Sequence, residues 1–266
     1  MLLIKPDAVL IDHGHFQYNS LILGLIMWSL YALIRGRRYI CCIIFTIAIN
    51  AKVMSVYYSL AFMGALIGYT LKRYGWHRKE RIMGECAIYA GLFILTTTVL
   101  WLPWLTDFKS FKTVIEAIFP VHRGLYQLKV PNFWCISDVI MKWESWASKP
   151  ILAIMCFVSC VLFSLPSIVA LIVNPSPKIL VIGFSCISMT FFMFSYHVHE
   201  KSILLPLLIL PFTSQYLLIK LNSNRKSKEN ITENNYLNVG GKLVIAGVVG
   251  GCAGMYHLLK EDNQKL

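Results

Sequence analysis

Eight apolar runs follow one another along the chain, near 20–34, 39–52, 53–71, 83–104, 151–173, 179–195, 203–219 and 243–259. A helix needs about 20 apolar residues, with a range of roughly 17–25, to cross the hydrocarbon of a bilayer. Inside lipid every backbone N–H and C=O has to be satisfied within the chain, so repeated runs of this length restrict the fold to a helical bundle. Composition agrees. Of the 266 residues 57% are hydrophobic and 14% charged, against about a quarter charged in a soluble domain. Mean hydropathy is +0.61. An ordinary soluble enzyme, a disordered chain and a soluble disulfide scaffold are excluded. The sequence reads as an all-α integral membrane protein, a polytopic helical bundle of about eight spans in contact with membrane lipids. The runs 20–34 and 39–52 are short and require snorkelling flanks or a thinned bilayer.

The 25 Lys and Arg outnumber the 13 Asp and Glu by 12. These cations sit at the ends of apolar runs, which marks them as topology signals and argues against a nucleic-acid partner. The stretch 39–71 follows Arg35, Arg37 and Arg38 and precedes Lys72, Arg73, Arg78, Lys79 and Arg81. A single crossing would split these clusters between two sides. Two crossings that turn at Asn50-Ala51-Lys52 keep them together, as the bias of cytoplasmic loops toward Lys and Arg requires. Parity then places loop 105–150 on the far side, Asn174 to Lys178 on the cytoplasmic side and Ser195 to Lys201 on the far side. Residues 1–220 form the membrane domain, 221–241 a polar cytosolic linker, and 242–266 a C-terminal membrane helix and tail. The sequon Asn230-Ile231-Thr232 is expected to be cytosolic and unmodified. Eight cysteines include no CxxC pair, so they read as small hydrophobes rather than as a zinc or disulfide framework. Cys156 and Cys160 share one helix face, as packing residues.

Three polar constellations fall on the far side. The first is Ile11-Asp12-His13-Gly14-His15-Phe16-Gln17-Tyr18-Asn19. It is either a binding site or an interfacial cap of the next helix, with Asn19 or Ser20 as N-cap. Its HxH pair lacks a third ligand at metal spacing, so no metal is expected. The second is Phe119-Pro120-Val121-His122-Arg123-Gly124-Leu125-Tyr126, with Pro131-Asn132-Phe133-Trp134-Cys135 after it. Arg123 runs against the charge bias of its side and suits a phosphate clamp; Trp101, Trp104, Trp143 and Trp146 read better as an interfacial belt. The third is His197-Val198-His199-Glu200-Lys201-Ser202. Ionisable groups at membrane depth are a functional-site hypothesis, set against a self-neutralised Glu200–Lys201 turn. HxHE lacks HExxH spacing, so a zinc protease is not supported. Together the loops suit a lipid-linked phosphate substrate.

The strings IDHGHFQYNS, FPVHRGLY, VPNFWC and SYHVHEKSILLPLL closely resemble the dolichyl-phosphate-glucose-dependent glucosyltransferases of asparagine-linked glycosylation in the endoplasmic reticulum. His13-Gly14-His15 and Phe119-Pro120-Val121 look more like the alpha-1,3-glucosyltransferases that add the first glucose to the lipid-linked oligomannose precursor. The sister enzymes that add the second glucose share HFQYN and the histidine-glutamate-lysine string. The resemblance covers about residues 6–220. It implies a GT-C-like multi-span fold in the endoplasmic-reticulum membrane with a luminal active face. It also implies dolichyl phosphate glucose as donor, a lipid-linked oligosaccharide as acceptor, and no metal or other cofactor. The implied reaction inverts the anomeric carbon; a carboxylate base takes the acceptor proton and cations or donors receive the departing phosphate. Residue by residue, the resemblance makes His15 and Gln17 catalytic candidates with Asp12 as an alternative acid. It makes Asn19 a sugar contact, His199 and Lys201 phosphate-facing groups, Arg123 a weaker phosphate contact, and Glu200 an orienting group. Family members carry an acidic residue in a first luminal loop after a first helix; this chain starts downstream of it and reads as an N-terminally truncated fragment whose own activity is in doubt. The alternatives are the second-glucose enzyme and a non-enzymatic bundle, transporter-like or inactive. A transporter would place charges and helix breakers near mid-membrane, whereas here the charges lie at span ends.

Overall fold

The computed structural model describes residues 18–104, 130, 132–196 and 198–213, the side chain of Glu200 excepted. Among the described residues every regular element is helical. Helix α1 is Asn19–Ile34 and α2 is Arg38–Ala51. A 3-10 turn, Val53–Tyr58, leads into α3, Ser59–Tyr74. Helix α4 is Lys79–Trp101, extended by a 3-10 turn to Trp104. Two short helices follow, α5 Phe133–Met141 and α6 Trp143–Trp146. The long α7, Lys149–Val173, pairs with α8, Pro177–Phe194, and α9 is Lys201–Thr213. Seven of the eight predicted runs therefore begin on helices. The eighth, the linker 221–241 and the Asn230 sequon lie outside the described residues.

Among the described residues four segments are long and apolar enough to cross a membrane: Val53–Tyr74, Lys79–Trp104, Lys149–Val173 and Pro177–Phe194. Helix α1 has 16 residues and α2 has 14, so at 1.5 Å per residue each is shorter than the ~30 Å of hydrocarbon. Arg35 and Arg37 stand in the link between them and Arg38 opens α2, where their long side chains can reach headgroups.

Chain reversal at Lys52 is plain in the packing. Helix α2 ends at Ala51, and Lys52 is extended, with φ −156° and ψ 125°. Phe45 and Phe62, on either side of that break, lie 4.1 Å apart by ring centroid. Tyr39 at the start of α2 and Tyr74 at the end of α3 both donate to the Glu85 carboxylate, at 3.1 and 2.7 Å. Arg73 stands 3.9 Å from the same carboxylate. Arg35–Arg38 and Lys72–Arg81 are therefore at one end of the bundle. Glu85 is a buried carboxylate in an apolar helix, and its two phenol donors and Arg73 answer the desolvation of its charge.

Helix α3 lies along α7 through two glycines. A Cβ on Gly64 would stand 3.5 Å from Ile168, and one on Gly68 would overlap the Leu171 carbonyl oxygen. In lipid no hydrophobic force draws helices together, so close approach over small residues supplies van der Waals contact in its place. A Cβ on Gly183 of α8 would stand 3.0 Å from the side chain of the same Leu171. Since α3 and α7 run in register from Gly64–Ile168 to Gly68–Leu171, the α7–α8 link at Asn174–Ser176 joins the basic end. Phe62 sits edge-on to Phe184 at 4.7 Å, and the fully buried Tyr58 donates to the Leu205 carbonyl at 2.5 Å. Cys156 and Cys160, both buried, face inward on α7 as packing residues. By contrast α4 presents Met83, Ile94, Leu95 and Val99 outward, a face suited to acyl chains.

Candidate functional site

The end away from the basic clusters gathers most of the remaining polar groups. There α1 begins, α2 ends, α4 ends, and the α8–α9 link turns. Asn50 at the close of α2 accepts from Trp101 Nε1 at 2.6 Å and donates to Thr97 Oγ1 at 3.3 Å, which ties α2 to α4. Trp101 is thus a structural donor as well as an aromatic at the membrane boundary. Trp104 and Trp146 are exposed there, as an interfacial belt requires.

Asn19 departs from the capping expectation. It is the first residue of α1, and the N-cap position falls to Tyr18, whose side chain makes no cap hydrogen bond. Asn19 is fully buried, and its Oδ1 accepts from the Lys52 ammonium. That ammonium also stands 5.4 Å over the Tyr18 ring, a cation–π distance, while Tyr18 OH donates to the Ala51 carbonyl at 3.3 Å. An amide oxygen facing a lysine across two helices does more for this geometry than a local cap would, because Lys52 needs an acceptor where α2 breaks. Lys52 is the group that the sequence reading missed. It was legible only as part of a turn, since its partner lies 33 residues away.

The α8–α9 link forms the other half. Ser195 closes α8 through its N–H on the Phe191 carbonyl. Val198 is buried, and His199 caps the 3-10 turn Glu200–Ile203 by accepting the Lys201 N–H on Nδ1 at 3.4 Å. An accepting Nδ1 leaves the proton of a neutral imidazole on Nε2. His199 and Lys201 thus lie on one ordered turn, with the buried Ser202 beneath. The Tyr57 hydroxyl, on the 3-10 turn just after Lys52, faces the Ser195 and Ser202 hydroxyls. That contact joins the Lys52 break to the His199 turn.

Helices α5 and α6 replace what the sequence suggested was loop. Asn132 caps α5 by accepting the Cys135 N–H at 2.9 Å, and Trp134 Nε1 donates to the Phe194 carbonyl at 2.8 Å. Ile136, Val139 and Ile140 point outward, so α5 is a short apolar helix pinned beside the end of α8. Burial raises the Tyr196 phenol above its ordinary value, which keeps it a neutral hydroxyl.

Of the predicted site residues, Asn19, His199 and Lys201 and the backbone of Glu200 are at this end. Asp12, His15, Gln17 and Arg123 lie outside the described residues.

The sequence profile of the ALG6, ALG8 glycosyltransferase family matches residues 1–228. The chain belongs to this family. Similar curated proteins agree. A "Probable dolichyl pyrophosphate Man9GlcNAc2 alpha-1,3-glucosyltransferase" of Arabidopsis thaliana is 36% identical over 209 residues, covering 78% of this chain and 38% of that protein. Its Drosophila melanogaster counterpart of the same name is 34% identical over 200 residues, covering 75% and 42%. The Gallus gallus "Dolichyl pyrophosphate Man9GlcNAc2 alpha-1,3-glucosyltransferase" is 36% identical over 204 residues, covering 77% and 40%. The chain thus spans about two fifths of the length of the curated relatives it matches. Its fold is the all-α polytopic membrane bundle expected of the family.

Proposed function

We propose that the chain takes part in transfer of glucose from dolichyl phosphate glucose to a dolichol-linked oligomannose acceptor, at the luminal face of the endoplasmic-reticulum membrane. The observation that carries this reading is the gathering of Asn19 and the His199–Lys201 turn at the end opposite the arginine clusters, in a chain whose relatives are named alpha-1,3-glucosyltransferases. The acceptor hydroxyl attacks the anomeric carbon of glucose. The bond from that carbon to the phosphate oxygen breaks, and dolichyl phosphate leaves with the electron pair. A carboxylate takes the hydroxyl proton; Asp12 is the acid of the first polar constellation. His199 Nε2–H and the Lys201 ammonium face the negative charge that grows on the departing phosphate, where donors fixed in a dry site contribute most. His15, Gln17 and Asn19 contact the sugar, Glu200 orients its neighbours, and Arg123 is a further phosphate contact.

Photocross-linking tests this assignment. A photoreactive dolichyl phosphate glucose analogue is expected to label residues 195–203, and excess unlabelled donor is expected to protect them. Labelling confined to 72–81 at the arginine end, or labelling that a neutral polyprenol suppresses equally well, would contradict the reading.

A further inference from the structure

We propose that the arginine end of the bundle binds an anionic glycerophospholipid, whose phosphate is received between the Arg35–Arg38 link and the Lys72–Arg81 link with Arg38 as the innermost contact. The inference stands apart from the glucosyl-transfer reading and uses none of its residues. Three observations carry it.

The first is charge. The two links hold eight Lys and Arg against one acidic residue, Glu80, and seven of the eight cations are exposed. Among the described residues only Arg73 of these makes an ion pair, with Glu85 at 3.9 Å. The bias of cytoplasmic loops toward Lys and Arg accounts for cations on this side, but not for their gathering from two separate links. That gathering is made by Tyr39 and Tyr74, which both donate to Glu85, and by the Tyr39 and Tyr89 rings, 6.1 Å apart.

The second is Arg38 itself. It is half-buried, and its buried Nη1 has no hydrogen-bond partner among the described residues. A charged donor withdrawn from water without an acceptor is costly, and the guanidinium fork matches the oxygens of a phosphate. Arg38 also opens α2, whose first turn holds no acidic residue and whose N-cap side chain makes no cap hydrogen bond. The helix dipole therefore adds positive charge at the same place.

The third is depth, which selects a lipid over a soluble anion. Helices α1 and α2 have 16 and 14 residues, so the bilayer thins toward them and brings headgroups to the link that joins them. Tyr39 and Trp76 are exposed at this end, where interfacial aromatics lie at headgroup level.

The test compares spin-labelled phosphatidylserine with spin-labelled phosphatidylcholine beside the full chain in phosphatidylcholine vesicles, read as the motionally restricted fraction of each. The unsubstituted protein is expected to favour phosphatidylserine by about 10-fold, and Arg38→Gln to lower that preference about 5-fold, the scale of one cation at an anionic headgroup. Arg38→Lys is expected to keep part of it, and Lys149→Gln, at the polar end, all of it. Arg35→Gln combined with Arg37→Gln changes only exposed side chains, so folding loss does not explain the lower preference expected there. Equal association of the two lipids with the unsubstituted protein would overturn the site. So would a preference unchanged in both Arg38→Gln and the double variant, or one lost as fully in Lys149→Gln. Each of these outcomes leaves the glucosyl-transfer reading standing. Displacement of the label by a short-chain polyprenyl phosphate at lower mole fraction than by unlabelled phosphatidylserine would overturn the lipid class and, by setting a donor site at the arginine end, contradict the glucosyl-transfer reading as well.

Discussion

On the glucosyl-transfer reading proposed above, replacing His199 by Asn is expected to cut transfer by about 100-fold or more, the usual cost of removing one donor aimed at developing charge, while the bundle stays folded. The reason for Asn is geometric. His199 does two things on this reading: Nδ1 accepts the Lys201 N–H and so caps the 3-10 turn, and Nε2, which carries the proton of the neutral ring, faces the donor phosphate as proposed. The Oδ1 of Asn occupies the place of Nδ1 and preserves the cap, as Asn does at many helix starts. Nothing in Asn reproduces Nε2. His199→Ala removes both and is expected to lower stability as well, by about 1 kcal/mol for the lost cap. Transfer measured from dolichyl phosphate glucose in membranes that contain the protein, with thermal melting of each variant, separates the two contributions. Unchanged turnover in His199→Asn would remove His199 from the chemistry and leave it a turn residue.

The largest stability effect is expected at Gly68. A methyl there would overlap the Leu171 carbonyl oxygen and come within 2.9 Å of the Ile172 oxygen. Both are backbone atoms of a long helix and cannot swing aside. Gly68→Ala should therefore push α3 from α7 and cost about 1–3 kcal/mol, the range for overpacking a dense interior. Gly68→Leu should abolish recovery of folded protein. Two glycines on α4 provide the contrast. Among the described residues nothing lies within 4 Å of where a Cβ would stand on Gly84 or Gly91, so alanine there should be neutral or stabilise the helix by up to about 1 kcal/mol. Melting temperatures in one detergent decide the matter. Equal behaviour of Gly68→Ala and Gly91→Ala would contradict the packing described for α3 and α7.

The fold was largely legible because its determinants are local. Apolar run length marks the helices, and the two arginine-rich clusters required a reversal between them, which the structure places at Lys52. The same parity put Asn174–Ser176 with the basic end and Ser195–Lys201 opposite, as the packing does. What escaped the sequence depends on how helices rotate about their own axes. Run length does not say that Asn19 faces Lys52, or that Glu85 faces Tyr39 and Tyr74. Each pair joins separate helices, and no periodic pattern records the angle between them. The reading of Asn19 as a cap followed residue preference at helix starts; a half-buried lysine needing an acceptor outweighed it. Helix α5 escaped for another reason. Residues 105–150 read as a loop on the far side, and the nine-residue α5 is too short for run length to reveal. The site itself is legible in part. The His199–Lys201 turn and Asn19 were singled out as residues, whereas the lysine that links Asn19 to the rest was not.

The central claim is that the polar end of the bundle, with Asn19, Lys52 and the His199 turn, faces the lumen while both arginine clusters face the cytosol. Single cysteines at exposed positions test it most directly, in a protein whose native cysteines are replaced. In sealed endoplasmic-reticulum vesicles with the cytosolic face outward, a membrane-impermeant thiol reagent is expected to modify Arg37→Cys and His77→Cys at once. Ser145→Cys and Ser148→Cys, beside α6 at the polar end, are expected to react only after the vesicles are opened with detergent. Modification of Ser148→Cys in intact vesicles, or protection of His77→Cys, would place the candidate site on the wrong side of the membrane for luminal glucose transfer.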